Sequence, residues 1–180
     1  MGKQFSQITP AISKFIESQK IFFVATATNS GRINLSPKGM DSFRILSPNR
    51  VMWLNATGSG NETAAHISQN PRITVMFCAF EGKPNILRLY GAAKIYHPRD
   101  IEWNENIGLF PQLPDARQLI DIDVDLVQTS CGFAVPYMDF KSERNQLNTW
   151  AEKKGDDEMR NYWEEKNTKS LDGLETGIFD

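Results

Sequence analysis

Histidine and cysteine are scarce in this sequence, with two of each in 180 residues. His66 and His97 stand in no HxxxH or HExxH spacing and there is no CxxC, so no zinc or haem-attachment signature can be read. Cys78 and Cys131 lie far apart in unlike contexts, which gives neither a disulfide framework nor a paired metal-ligand spacing; free thiols and no metal are expected. A basic excess is also missing. The 20 Lys and Arg against 22 Asp and Glu leave a formal charge of −2, too little positive charge to neutralise a run of phosphates, so DNA and RNA are excluded as expected partners. No apolar run approaches the roughly 20 residues needed to span a bilayer, and MGKQFSQITPAISKF lacks the apolar core of a signal peptide. A cytoplasmic protein without a membrane partner is expected, and any redox chemistry must come from an organic cofactor.

What is present is a succession of β-rich runs. Thr9-Pro10 reads as an N-cap and first helical residue, with Ile12, Phe15 and Ile16 at helical spacing, so a short helix is expected to open the chain. IFFVATAT, closed by Asn29-Ser30-Gly31, reads as one arm of a hairpin whose return strand is RINLS. FRIL, VMWLNAT, RITVMFCAF and NILRLYGAAKIY follow as further strands. NETAAHISQ between them is too short for a parallel crossover, which favours an antiparallel barrel. Ile120, Ile122, Val124 and Leu126 alternate in LIDIDVDLVQTS and predict one more strand. Residues 141–166 are helical in composition, with Gly155 as a break between two helices.

Three segments are candidates for chemistry. In GSGNETAAHI a strand passes through two glycines directly into a helix, and the helix start offers unpaired N–H groups and a positive dipole end to an anion. Ser59, Asn61 and Thr63 add donors, and Gly60 is expected to take a positive φ; the competing reading makes Asn61 an ordinary helix cap. In RINLSPKG, residues Asn34, Ser36 and Lys38 share one strand face and Ile33 and Leu35 the other. That polar face either lines a phosphate or ribityl site or is a solvated outer surface, and Arg32 and Arg44 carry the same ambiguity. SCGFAVP is a small-residue turn bearing Cys131, with no neighbouring histidine or cation cluster to activate the thiol.

RINLSPKG, VMWLNATGSGNETAAHISQNPRITVMFCAF and ILRLYGAAKIY together resemble the consecutive core strands of the pyridoxamine 5'-phosphate oxidase family. The order and spacing agree over roughly residues 10–97, most specifically at the turn Asn70-Pro71-Arg72 and the Arg-x-x-Gly strand from Arg88 to Gly91. The resemblance implies a mainly β fold with flanking α: an antiparallel split barrel of six or seven strands, with short helices and a helical C-terminal segment. Residues 1–136 are expected to form the FMN-binding domain and 137–180 a helical extension packed on it. It also implies a homodimer holding FMN between two barrels, with the phosphate gripped by a basic strand and a serine-led loop. On that basis Arg32, Asn34, Ser36, Lys38, Asn55, Ser59, Gly60, Asn61, Thr63 and Arg88 are the candidate cofactor residues.

This chain departs from the family pattern in several places. Lys38 is displaced by about one position, Gly60-Asn61 stand where many members have Arg-Lys, and Ile86 stands where a glutamine is frequent. The tryptophan-to-arginine segment that grips the vitamin phosphate is missing, which argues against vitamin B6 oxidation. SCGFAVP and KNTKSLDGLE instead resemble signatures of a separate branch. The expected function is an FMN-dependent oxidoreductase passing hydride through flavin N5 to or from a small molecule. A non-catalytic module using the same cleft for flavin or haem is the alternative, and a deazaflavin is a further possible ligand. Catalytic residues are unassigned; Tyr90, Tyr137 and His66 are the acid–base candidates.

Overall fold

Thr9 caps the first helix as the Thr-Pro pair predicts: its side chain accepts the Ile12 N–H at 3.4 Å, and α1 (Pro10–Ser18) buries Ile12 and Ile16. The helix does not open the chain, however. The computed structural model describes residues 2–180, and in it β1 (Lys3–Phe5) comes first and pairs with the far end of β8 (Ala116–Ser130), Gln4 opposite Gln128. Nothing in KQF marks a strand, because three residues gain their ladder partners only from a segment more than a hundred residues away.

The other strands are β2 (Phe22–Thr26), β3 (Asn34–Lys38), β4 (Phe43–Ser47), β5 (Arg50–Ala56), β6 (Arg72–Cys78) and β7 (Ile86–Tyr96). Between them lie α2 (Glu62–Gln69), α3 (Ile101–Asn106) and, after β8, α4 (Gln146–Lys166). The sheet order is β3-β2-β6-β7-β8-β5-β4, antiparallel at every pairing. Its two ends, β3 and β4, are not paired with each other, and this is the split in the barrel. The sheet curls around Val24, Val51, Trp53, Val75, Leu87, Leu89, Ile120 and Ile122, all at most 1 % exposed. Phe22, Phe43 and Phe77 pack on one another with ring centroids 5.0–5.7 Å apart, which closes one end of this core. A second cluster, Met52, Leu54, Phe110 and Leu119, lies on the other face of β5 and β8, where Trp103 of α3 covers it.

Residues Gly31 (φ 95°) and Gly155 (φ 67°) take the positive φ their turn and break require. Gly91 is needed for a different reason. The β7–β8 register shifts between Tyr90 and Gly91, and a Cβ at Gly91 would lie 2.0 Å from the Asp123 carbonyl oxygen. The same irregularity ends the strand alternation early: Ile120, Ile122 and Val124 are buried, but beyond the bulge Val127 takes the buried place and Leu126 is only half-buried. The glycine of the Arg-x-x-Gly strand is therefore a packing requirement between two backbones. Gly91→Ala is expected to cost about 3 kcal/mol, measured by urea unfolding, whereas Gly82→Ala, with nothing within 4 Å of its Cβ but a φ of 68°, should cost about 1 kcal/mol.

Candidate functional site

The edge strand β3 presents its two faces differently. Asn34, Ser36 and Lys38 are half-buried, whereas Ile33 and Leu35 are 75 % and 65 % exposed. Beside the polar face, the loop from β5 to α2 and the start of α2 enclose a cavity of about 660 Å³. Arg32, Asn34, Ser36, Lys38, Asn55, Ser59, Gly60, Asn61 and Thr63 all line it. Arg88 does not. It lies on the half-buried outer face of β7, alternating with buried Leu87 and Leu89, and donates to Ser130 Oγ at 3.0 Å.

Two readings of the loop need correction. Gly60 is not among the residues with positive φ, and a Cβ there would meet only Glu62 Oε1 at 3.4 Å, so neither backbone strain nor a blocked approach demands glycine. Asn61 occupies the N-cap position but makes no side-chain cap bond. Its Nδ2 donates to the Asn167 carbonyl at 3.5 Å instead, and its Oδ1 is buried without a partner. Asn34 ties β3 to the helix, donating to Thr63 Oγ1 at 3.1 Å and to Thr26 Oγ1 at 3.4 Å. Arg32 is engaged outside the family-like core: its backbone N–H donates to Asp172 Oδ2 at 2.8 Å and its guanidinium pairs with Asp172 Oδ1, which holds the Asp172 carboxyl below the usual range.

The cation the sequence reading missed is Arg117, near the start of β8 and 3 % exposed. Its Nη1 donates to Gly60 O at 3.1 Å and to Asn167 Oδ1, and its Nε has no partner. Burial pulls its pKa down to about 10, opposed by the negative charges of Asp115 and Tyr162. Lys38 is pulled down to about 8, first by burial and then by the charge of Arg117. Among the described residues neither cation forms an ion pair with a carboxylate. Asp115, the nearest acid, is fully buried, accepts the Thr57 N–H at 3.0 Å, and has its pKa raised by burial. Ser36 Oγ, Asn55 Oδ1, Asn61 Oδ1 and Arg117 Nε, all lining the cavity, are buried without a hydrogen-bond partner. Buried polar atoms are seldom left so, and a concentration of them, donors and acceptors, around two cations without ion-pair partners suits a polar ligand that carries an anionic group.

The back wall comes from the end of the chain. Lys166, Lys169, Ser170 and Leu171 line the cavity, Trp163 Nε1 donates to Thr57 Oγ1 at 2.8 Å, and the Leu171 N–H donates to Glu62 Oε1 at 2.9 Å. Behind Asn55, an amide chain runs through Gln118 (3.1 Å) to His97 (3.2 Å), and Arg99 links His97 to the carbonyls of Gly177 and Ile178. Arg99 only donates, so the His97 ring nitrogen that faces it, Nδ1, accepts. Burial, then Arg99, lowers its pKa to about 4. The acid–base candidates are not part of this cavity: His66 is buried against Thr26 at 3.1 Å, Tyr90 donates to Gln128 at 3.2 Å, and Tyr137 is exposed.

An antiparallel barrel left open between β3 and β4, with a cavity beside the polar face of β3, defines the class of split-barrel proteins. The pyridoxamine 5'-phosphate oxidase pattern matches residues 8–131, and the chain belongs to that family. It is 38 % identical over 182 residues to the pyridoxamine 5'-phosphate oxidase family protein ustO of Aspergillus flavus, covering 87 % of this chain and 70 % of that protein. Among solved structures it shares its fold with HupZ of Group A Streptococcus (TM-score 0.52, 21 % identity, 66 % of this chain and 91 % of that one). It shares it also with a general stress protein 26-related protein of the pyridoxinephosphate oxidase family from Clostridium acetobutylicum (TM-score 0.51, 17 % identity, 66 % and 84 %).

The lowered pKa values of His97 and Lys38 make stability depend on pH in a fixed direction. Where the unfolded chain binds more protons than the folded one, stability rises with pH. The apo-protein should therefore gain stability between about pH 4 and 6.5 through His97, and again between about pH 8 and 10.5 through Lys38. Urea midpoints measured across pH should lose the first rise in His97→Gln and the second in Lys38→Met.

Proposed function

We propose that the protein binds FMN in this cavity, as a homodimer, and acts as a flavin-dependent oxidoreductase on a small molecule. The observation that carries the reading is the pair Lys38 and Arg117, two desolvated cations with no carboxylate of their own beside orphaned polar atoms. A phosphate monoester fits that donor set: it brings nearly two negative charges and accepts from Lys38 Nζ, from the free N–H groups of Arg117 and from the start of α2. Arg117 supplies the charge that Gly60-Asn61 lack. Ser36 and Asn61 suit ribityl hydroxyls, which both donate and accept. When bound, the flavin supplies hydride transfer at N5, while the chain supplies orientation, charge and exclusion of water.

Haem fits this cavity less well, since no histidine, cysteine, methionine or tyrosine lines it to bind iron. The second subunit is proposed to cover Ile33 and Leu35, exposed apolar side chains at the start of the edge strand that also border the cavity. No helix of the described residues is long and apolar enough to cross a membrane. Free Cys78 and Cys131 suit a reducing compartment, and the cytoplasm is the proposed location.

The absorbance spectrum of the protein reconstituted with an equimolar mixture of FMN and haemin, after gel filtration, should show flavin bands; a Soret band instead overturns the cofactor assignment. Lys38→Ala should weaken FMN by about 2 kcal/mol, roughly thirtyfold, and riboflavin hardly at all, because riboflavin has no phosphate. Equal losses for both ligands would make Lys38 structural. Sedimentation should show a dimer burying on the order of 2,000 Å² or more; a monomer with full FMN occupancy removes the dimer from the account.

A further inference from the structure

Asn167, at the end of α4, is completely buried and every one of its polar groups has a partner. Its N–H closes the helix on Trp163 O at 2.8 Å. Its carbonyl accepts from Thr176 Oγ1 at 2.6 Å and from Asn61 Nδ2 at 3.5 Å. Its Nδ2 donates to Gly58 O at 3.2 Å, and its Oδ1 accepts from Arg117 Nη1. One side chain thus grips the anion-facing loop at Gly58 and the buried guanidinium beside it, whose other contact is Gly60 O. The contact uses Nη1 alone. Because the amide oxygen carries no net charge, it orients Arg117 without neutralising it, and leaves the buried Nε without a partner.

Asn167 lies well beyond residue 131, where the family match ends. The same is true of Lys166, Lys169, Ser170 and Leu171 on the cavity wall and of Asp172, which pairs with Arg32. We propose that Asn167 is the positioning residue that aims Arg117 at the ligand's anionic group, and that seating of the C-terminal segment 163–176 and binding of that anion therefore reinforce each other. This rests on the reading of the cavity as an anion site and extends it to a part of the chain outside the family core. The coupling is reciprocal by linkage: whatever the seated segment adds to anion affinity, the bound anion adds to the seating.

Two experiments test it. Asn167→Asp places a carboxylate where the amide oxygen meets Arg117, giving the guanidinium a permanent internal counter-charge in competition with the ligand. The variant should lose at least tenfold in affinity for FMN and less than twofold for riboflavin. A parallel loss for both would mean that Asn167 only holds the fold together and overturns the proposal. The second needs no variant. Trypsin cleavage after Lys166 and Lys169 of the wild-type protein should slow at least fivefold with saturating FMN or inorganic phosphate, and not with riboflavin; cleavage indifferent to both anions overturns the coupling. The phosphate arm separates this inference from the cofactor reading. Protection by inorganic phosphate together with equal affinity for FMN and riboflavin supports the anion-coupled segment while removing FMN as its ligand.

Discussion

Two desolvated cations, neither of them in an ion pair with a carboxylate, are the constraint on which the rest of this structure depends. Lys38 comes from the end of β3, the first strand in the sheet order, and Arg117 from the start of β8, the fifth, and burial disfavours the charged form of each. A fold tolerates such an arrangement when a ligand restores the balance, and here unpartnered donors and acceptors lie around the pair. The open edge of the barrel is what allows the pair to meet a cavity rather than a core. Had β3 paired with β4, the space beside Asn34, Ser36 and Lys38 would have been closed by a ladder.

Around this centre the molecule divides into a barrel frame and the segment that follows it. The frame is the sheet with its bulge at Gly91, where two backbones approach too closely for any side chain, and the helix that follows the β5 loop. The segment after residue 131 runs without regular structure to residue 145, forms α4 with a break at Gly155, and ends as a wall of the cavity, tied down by Trp163, Asn167 and Asp172. Gly60-Asn61 in place of a cationic pair is then no deficit: the positive charge is delivered from β8, and its orientation from α4.

Much of the site was legible because it is local. The alternation in RINLSPKG placed three polar side chains on one face of an edge strand, and the Gly-rich loop running into a helix placed Ser59, Asn61 and Thr63 beside them. Arg117 was not legible from alternation. It stands two residues before the run LIDIDVD, and residues 117–122 are buried on both strand faces, so period-two patterning gives no sign of which side it faces. Asn167 and β1 share the difficulty in stronger form, since their partners lie a hundred or more residues away. Arg88 shows the opposite error: the motif around it is real, but within one chain the strand turns the arginine to the outer face and leaves Gly91 as the residue that matters for the fold.

The central claim is that Lys38 and Arg117 together hold a phosphate dianion, and the phosphorus nucleus of bound FMN reports on this directly. A free phosphate monoester takes up its second proton near pH 6. If the two cations enclose it, the ³¹P resonance of protein-bound FMN should stay at the dianion position from pH 8 down to about pH 5, with the protein still folded. A bound resonance that titrates with the same midpoint as free FMN would contradict the account, because it would leave the phosphate in water and the two cations without their counter-charge.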